Sequence, residues 1–309
     1  MVKNYTPHIL YIFIFLSALS YGQEVKIFTL KDFDLKDSVK TCLVSTNYGK
    51  EEYDFNKKGV LTKAVTRYSD TDYDVVYYKY KNEELTEKRS ESYRNNVFDP
   101  STSIAHFYEL DTTANRRITE KIVSYEEEFL DQYVYHYDAN EDLVKIIRTN
   151  NDGIDETLVE YKKYKGEYTI TYLINNEPLK SIRTSQLKKK DGTFQKVVLT
   201  KEYLKGEANK AFEEVFNKQE LLVAQQEFQY NISEKTFVPT KRITYTYDEK
   251  NRLLEEISKN GDEVLKKGYI YQYDREGEGN WIKQIVTPEN SYKTREITYY
   301  NTEELVEKE

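Results

Sequence analysis

Few residues in this chain of 309 could do chemistry, and their spacing decides which kind. A histidine base needs an orienting carboxylate, and a zinc centre needs several Cys, His or carboxylate ligands close together. The three histidines are His8, His106 and His136, and no motif gives any of them such partners. No G-x-S-x-G, H-E-x-x-H, P-loop or dinucleotide fingerprint occurs. The single cysteine, Cys42, reads either as a reactive thiol or as a small buried apolar residue, and it cannot form an internal disulfide. Acidic pairs that could cleave a glycosidic bond stand in Tyr125-Glu-Glu-Glu-Phe129 and Arg275-Glu-Gly-Glu-Gly279. In a chain with 54 acidic residues, solvated strand faces produce such pairs unaided. The Asp-rich stretches 70–74 and 150–155 offer oxygen ligands but match no complete calcium loop, and ordinary turn chemistry accounts for them. The sequence therefore predicts no catalytic centre, no metal and no cofactor.

Aromatic residues are the other chemically capable set. The chain has 30 tyrosines and a single tryptophan, so tyrosine makes up much of a low hydrophobic content of 38%. In a strand, Tyr-x-Tyr places both rings on one face. Tyr245-Thr-Tyr247 and Tyr271-Gln-Tyr273, with Trp281 in Gly-Asn-Trp-Ile-Lys, are the candidate ligand-contact residues. Two readings stay open. The rings form the core through cross-strand pairs, or they form an exposed surface that stacks on a glycan or peptide. Trp281 likewise reads as a stacking side chain or as the large residue that follows a turn.

The elements that would position these rings come from a repeat. Aromatic-x-aromatic, an Asp or Asn, a short polar turn and then Leu recur as Tyr53–Leu61, Tyr78–Leu85, Tyr135–Leu143, Phe216–Leu221, Tyr245–Leu253 and Tyr299–Leu305, with Tyr271–Trp281 ending on tryptophan instead. Adjacent clear copies are roughly 25–31 residues apart, and degenerate copies near Tyr108, Tyr164 and Lys188 fill the longer gaps. Asn260-Gly261, Asp152-Gly153 and Asp191-Gly192 punctuate the far ends of units. The pattern predicts an all-β fold: a long antiparallel meander of about ten Tyr-rich hairpins, some twenty strands, forming a curved or coiled sheet. The sequence leaves open whether that sheet closes. Residues 205–228 place Phe212, Val215 and Phe216 at a spacing that also suits a short helix. If the sheet has free ends they need charged caps, for which Thr302–Glu309 is suited.

The Tyr-Asp-x-x-Asn-x-Leu copies at Tyr137 and Tyr247, and Tyr273-Asp-Arg-Glu-Gly-Glu-Gly-Asn-Trp-Ile282 with its two-residue insertion, resemble the YD repeats of RHS-type bacterial secreted and surface proteins. The resemblance implies a β-repeat architecture at the envelope or outside the cell. In that family the sheet spirals into a hollow shell around a toxin domain. No core or toxin-like segment of the family is recognisable in this chain, so no activity is carried over.

Residues 1–22 read as a secretory signal peptide. Lys3 gives a positive start, Ile9–Leu19 an apolar run shorter than the ~20 residues of a membrane span, and Ser20 and Gly22 a small-residue cut before Gln23. Residues 23–309 then form a single β-repeat domain, secreted or periplasmic, with no transmembrane segment after cleavage. A net charge of −8 argues against nucleic acid and anionic membrane surfaces. The expectation is an exported, non-enzymatic binding or scaffold protein that meets a protein or glycan of the cell envelope. The alternatives are a shell component related to the toxin-enclosing proteins and a carboxylate-based glycan hydrolase.

Overall fold

The computed structural model describes residues 25–275, 279–301 and 303, so the expected signal peptide and most of Thr302–Glu309 lie outside the described residues. Among the described residues are twenty strands: β1 (Val39–Thr46), β2 (Gly49–Phe55), β3 (Leu61–Arg67), β4 (Tyr73–Lys81), β5 (Glu84–Arg94), β6 (Val97–Asp111), β7 (Arg117–Ser124), β8 (Phe129–Tyr137), β9 (Leu143–Asn150), β10 (Gly153–Tyr164), β11 (Glu167–Ile174), β12 (Glu177–Lys188), β13 (Phe194–Leu204), β14 (Glu207–Phe216), β15 (Leu222–Asn231), β16 (Thr236–Tyr247), β17 (Leu253–Asn260), β18 (Glu263–Tyr273), β19 (Trp281–Thr287) and β20 (Ser291–Tyr299). Each pairs antiparallel with the next, and β20 pairs with β1, Val44 opposite Arg295 and Cys42 opposite Ile297. The meander is thus a closed barrel of ten hairpins, a more specific outcome than a curved or coiled sheet. Closure removes every free edge, so the ring needs no capping strand. The stretch with helical spacing, 205–228, is β14 and β15. Phe212, Glu214 and Phe216 alternate along β14 opposite Thr200, Val198 and Lys196, and the strand period wins.

The turn chemistry explains the repeat. In four of the hairpins an Asp or Asn opens the same five-residue turn: Asn56, Asp138, Asn217 and Asp248. Its backbone N–H donates to the carbonyl four residues on, at 2.9 Å in each case. Its side-chain oxygen accepts the N–H groups two and four residues on, at 2.8–3.0 Å. The fourth residue must be left-handed: Gly59, Glu141, Glu220 and Asn251 have φ of 74°, 63°, 59° and 62°. Glycine and asparagine tolerate that conformation, whereas glutamate is strained by about 1 kcal/mol. Glu220→Gly should therefore raise stability by roughly 0.5–1 kcal/mol in urea denaturation, the exposed ion pair to Lys196 offsetting little of the gain.

The next residue but one after each of these left-handed positions, Leu61, Leu143, Leu222 or Leu253, lies opposite the last aromatic of the preceding strand, across a one-residue bulge. Trp281 takes that place opposite Tyr273. At three of these four leucines a tyrosine of the following hairpin donates its hydroxyl to the leucine carbonyl: Tyr80 to Leu61 at 2.8 Å, Tyr161 to Leu143 at 2.7 Å and Tyr247 to Leu222 at 2.7 Å. These bonds tie one hairpin to the next, which is why tyrosine stands where phenylalanine would pack as well. Tyr161→Phe should cost about 1 kcal/mol of unfolding free energy, because a partly buried carbonyl loses its donor.

The tyrosine face lines the lumen. Residues 25–36 run across it, with a 3-10 turn at Leu30–Phe33. At one end the Trp281 Nε1–H of β19 donates to Asp34 at 3.0 Å, and Arg295 of β20 donates to the carbonyls of Phe33 and Asp34 at 2.7 and 3.1 Å. At the other end Val25 packs against the apolar cluster of β7–β10 that includes Ile118, Tyr135 and Ile146. Along a sheet surface β19 and β7 are eight strand steps apart, ~38 Å at the usual spacing. The connecting segment with its 3-10 turn spans only ~25 Å. It reaches both because it crosses inside the ring. The opposite face looks outward and pairs long charged side chains, such as Lys79 and Arg89 with Glu87 at 2.9 Å each.

Candidate functional site

The internal segment divides the lumen wall into a covered and an uncovered part. Over β1–β10 the aromatic positions are largely buried: Tyr53, Phe55, Tyr78, Tyr133, Tyr135 and Tyr137 all fall in the core. Phe33 lies against Tyr53 with ring centroids 4.4 Å apart, and Phe28 meets the edge of Tyr78 at 6.2 Å. Over β16–β18 the same positions, Tyr245, Tyr247, Tyr271 and Tyr273, are only half-buried.

The structure brings the candidate residues together as one wall. Tyr271 lies 6.1 Å from Tyr273 and 6.2 Å from Trp281, centroid to centroid. Tyr245 and Tyr247 stand two strands away, and Glu256 of the intervening β17 lies opposite Tyr245 and accepts the Tyr269 hydroxyl at 3.0 Å. Their hydroxyls are engaged in the wall: Tyr245 donates to Gln225 at 2.6 Å, and Tyr271 accepts from Gln284 at 3.0 Å. Arg252 covers Tyr273 at 5.1 Å. Burial pushes the Tyr271 phenol up to about 12 and raises Tyr247 and Tyr273 as well, so these phenols keep their protons at neutral pH. Trp281 differs from the four tyrosines. It is 9% exposed, Arg295 stacks on its ring at 3.5 Å, and its N–H holds Asp34. It anchors the internal segment and offers no free face.

A polar cluster that the sequence did not point to lies in the covered part. Glu120 of β7 accepts from Tyr108 at 2.9 Å and from Tyr135 at 2.8 Å, and shares a 2.7 Å hydrogen bond with His106 Nδ1. So His106 does have an orienting carboxylate. The signal was alternation: Glu120 stands between Ile118 and Ile122, two residues either side, which puts it on the apolar face of β7. Burial acts to raise the Glu120 carboxyl, but the hydrogen bonds from His106 and Tyr135 and the nearby His106 charge outweigh it and hold the group below its ordinary value. With three donors, this carboxylate is a satisfied structural centre.

The remaining candidates fall elsewhere. His136 is on the outer face, opposite Lys145 and Arg117. Cys42 is buried in the lumen wall, and burial pushes its thiol up to about 11. Glu126–Glu128 occupy an exposed turn between β7 and β8, while residues 276–278 of the second acidic pair lie outside the described residues. Within its own turn Asp72 accepts the Ser69 hydroxyl at 3.1 Å, and Asn150 accepts the N–H groups of Asp152 and Gly153, which is turn chemistry, while Asp72 also accepts the Asn95 N–H of the neighbouring turn at 2.8 Å. Among the described residues no group of three or more His, Cys, Asp or Glu is placed to hold a metal, and no helix is long and apolar enough to cross a membrane.

No protein-family model matches the chain, and no curated protein does. Among solved structures it is similar to a protein of unknown function from Bacteroides fragilis, at 10% identity and TM-score 0.18 over 55% of this chain and 89% of that one. It is also similar to a porin-like protein from Bacteroides vulgatus, at 9% identity and TM-score 0.24 over 85% of this chain and 99% of that one. A third similarity is to TcdB2-TccC3 without its hypervariable C-terminal region, at 10% identity and TM-score 0.21 over 80% of this chain but 18% of that one. Scores this low carry no argument about fold or function.

Proposed function

We propose that this is an exported, non-enzymatic binding protein whose lumen takes a polymer of the cell envelope, a peptide or a glycan, on the tyrosine wall of β16–β18. One observation carries the reading. A single repeated wall is covered by the chain's own residues 25–36 on one side and stays half-exposed on the other. Barrels of about 16–18 strands already leave a water-filled lumen, and the count of twenty strands supports a lumen wide enough for a guest. The paired charges of the outer face favour water over lipid around the barrel, since a lipid-facing band is apolar. The test is a peptide and glycan array probed with the chain from Gln23 onward, beside Tyr245→Ala and Tyr271→Ala variants whose strand content is checked by circular dichroism. Binding that the folded variants lose is expected. Equal signal from all three proteins would remove the wall from the account.

A shell role is the second reading, and closure of the ring favours it. It predicts that a polypeptide encoded beside this chain co-purifies with it and resists protease only while the barrel is intact.

A further inference from the structure

The chain itself shows how its wall holds a guest. At the β2–β3 turn, residues 28–30 form a single antiparallel bridge: Leu30 N–H donates to the Gly59 carbonyl at 3.0 Å, and Leu61 N–H donates to the Phe28 carbonyl at 2.9 Å. These two backbone groups form a notch between neighbouring hairpins. Phe33 then packs on Tyr53 and Phe55, at 4.4 and 5.5 Å, and Phe28 meets Tyr78 of the next hairpin.

The repeat builds the same notch at the β16–β17 turn. Asn251 takes the place of Gly59 with the same left-handed backbone, and Leu253 takes that of Leu61. Tyr245 and Tyr247 replace Tyr53 and Phe55, and Tyr271 and Tyr273 replace Tyr78 and Tyr80. Hydrogen-bonded and non-hydrogen-bonded pairs alternate along an antiparallel ladder. Leu61 follows the bonded Asn56–Val60 pair, so its N–H turns away from β2 towards the notch. Leu253 follows the bonded Asp248–Arg252 pair in the same way, and the β17–β18 ladder begins only at Glu255. The Leu253 N–H and the Asn251 carbonyl therefore address the gap between these hairpins.

We infer that the β16–β18 wall docks an extended peptide through this notch, by one backbone bridge to Asn251 and Leu253 and by aromatic side chains laid on the four tyrosines. The recognised pattern is that of the internal guest: an aromatic residue, an apolar residue two positions on and an aromatic three beyond it, as in Phe28, Leu30 and Phe33. This rests on the lumen-binding reading and names its ligand class. Strand addition of this kind takes affinity from main-chain bonds and specificity from alternate side chains.

The test is a fluorescent peptide of residues 25–37 titrated into the full chain, with a copy N-methylated at Leu30, a Phe33→Ala copy, and a copy carrying a photo-crosslinking phenylalanine at position 33. Saturable binding is expected, weakened about tenfold or more by N-methylation, with crosslinks on β16–β18. Equal binding by the N-methyl peptide overturns the bridge, and crosslinks confined to Tyr53 and Phe55 show exchange at the internal site alone. Silence from the peptide while an oligosaccharide binds ends this inference but spares the proposed function. Silence from both ends the two together.

Discussion

Glu120→Leu is expected to destabilise the barrel by about 3–5 kcal/mol. The substitution leaves the Tyr108 and Tyr135 hydroxyls and the His106 ring without their shared acceptor in the lumen wall. Urea denaturation of the folded fraction measures it, and Glu120→Gln should recover part of the loss because an amide still accepts. The pH dependence has a definite sign. The carboxyl is held below its ordinary value of 4.5 in the folded chain. Its contribution is therefore full above that value and disappears as pH falls through the lower, folded-state value. The wild-type chain should lose stability in acid more steeply than Glu120→Gln, with the two curves converging at low pH. Parallel curves would mean that Glu120 is not ionised in the fold.

Trp281→Ala should be comparably severe, at about 3–5 kcal/mol, and should act at a distance. The indole is the surface on which Arg295 lies, and it holds Asp34; Asn280 beside it exchanges hydrogen bonds with the Lys36 backbone at 2.8 and 3.1 Å. Removing the ring cuts the anchor of residues 25–36, so trypsin should cleave at Lys31 and Lys36 well before it attacks the strands. Trp281→Phe keeps the packing and loses the hydrogen bond, so it should cost about 1 kcal/mol and leave the segment protected. Rapid cleavage in the phenylalanine variant too would show that Asp34, more than packing, fixes the segment.

The strands were legible because their information is local. Tyr-x-Tyr sets the two-residue period, and Asp or Asn sets a turn that closes within five residues, so each hairpin can be read from about ten residues. Closure was not legible. Cys42 meets Ile297 and Val44 meets Arg295 only because small tilts and offsets accumulate over ten hairpins to a full circle, and no one hairpin records that sum. The same limit hid the covered part of the lumen. Residues 25–36 resemble any mixed polar and apolar stretch, and their role depends on walls whose strands lie far along the chain. The four tyrosines were identifiable because the repeat marks them. Trp281 was equally conspicuous, but its ring is already occupied by Arg295, a residue the sequence gives no reason to place there. Interleaved charges suggested solvated faces, which fits Glu87 and Arg89. It misses Glu120, Lys88 and Lys293, which alternation turns inward.

The β1–β20 pairing joins residues some 250 positions apart in sequence, and this orders assembly in time. A chain made from its amino end holds β1 ready while its partner has not yet been synthesised. Until then every intermediate is an open ribbon with two raw margins, each able to pair with a neighbouring molecule. The seam should therefore close last, and until it does the unpaired margins of β1 and of the growing end are open to pairing with other chains. Deleting β20 should convert the closed ring into a self-associating ribbon, which size-exclusion chromatography would read as a shift to high mass.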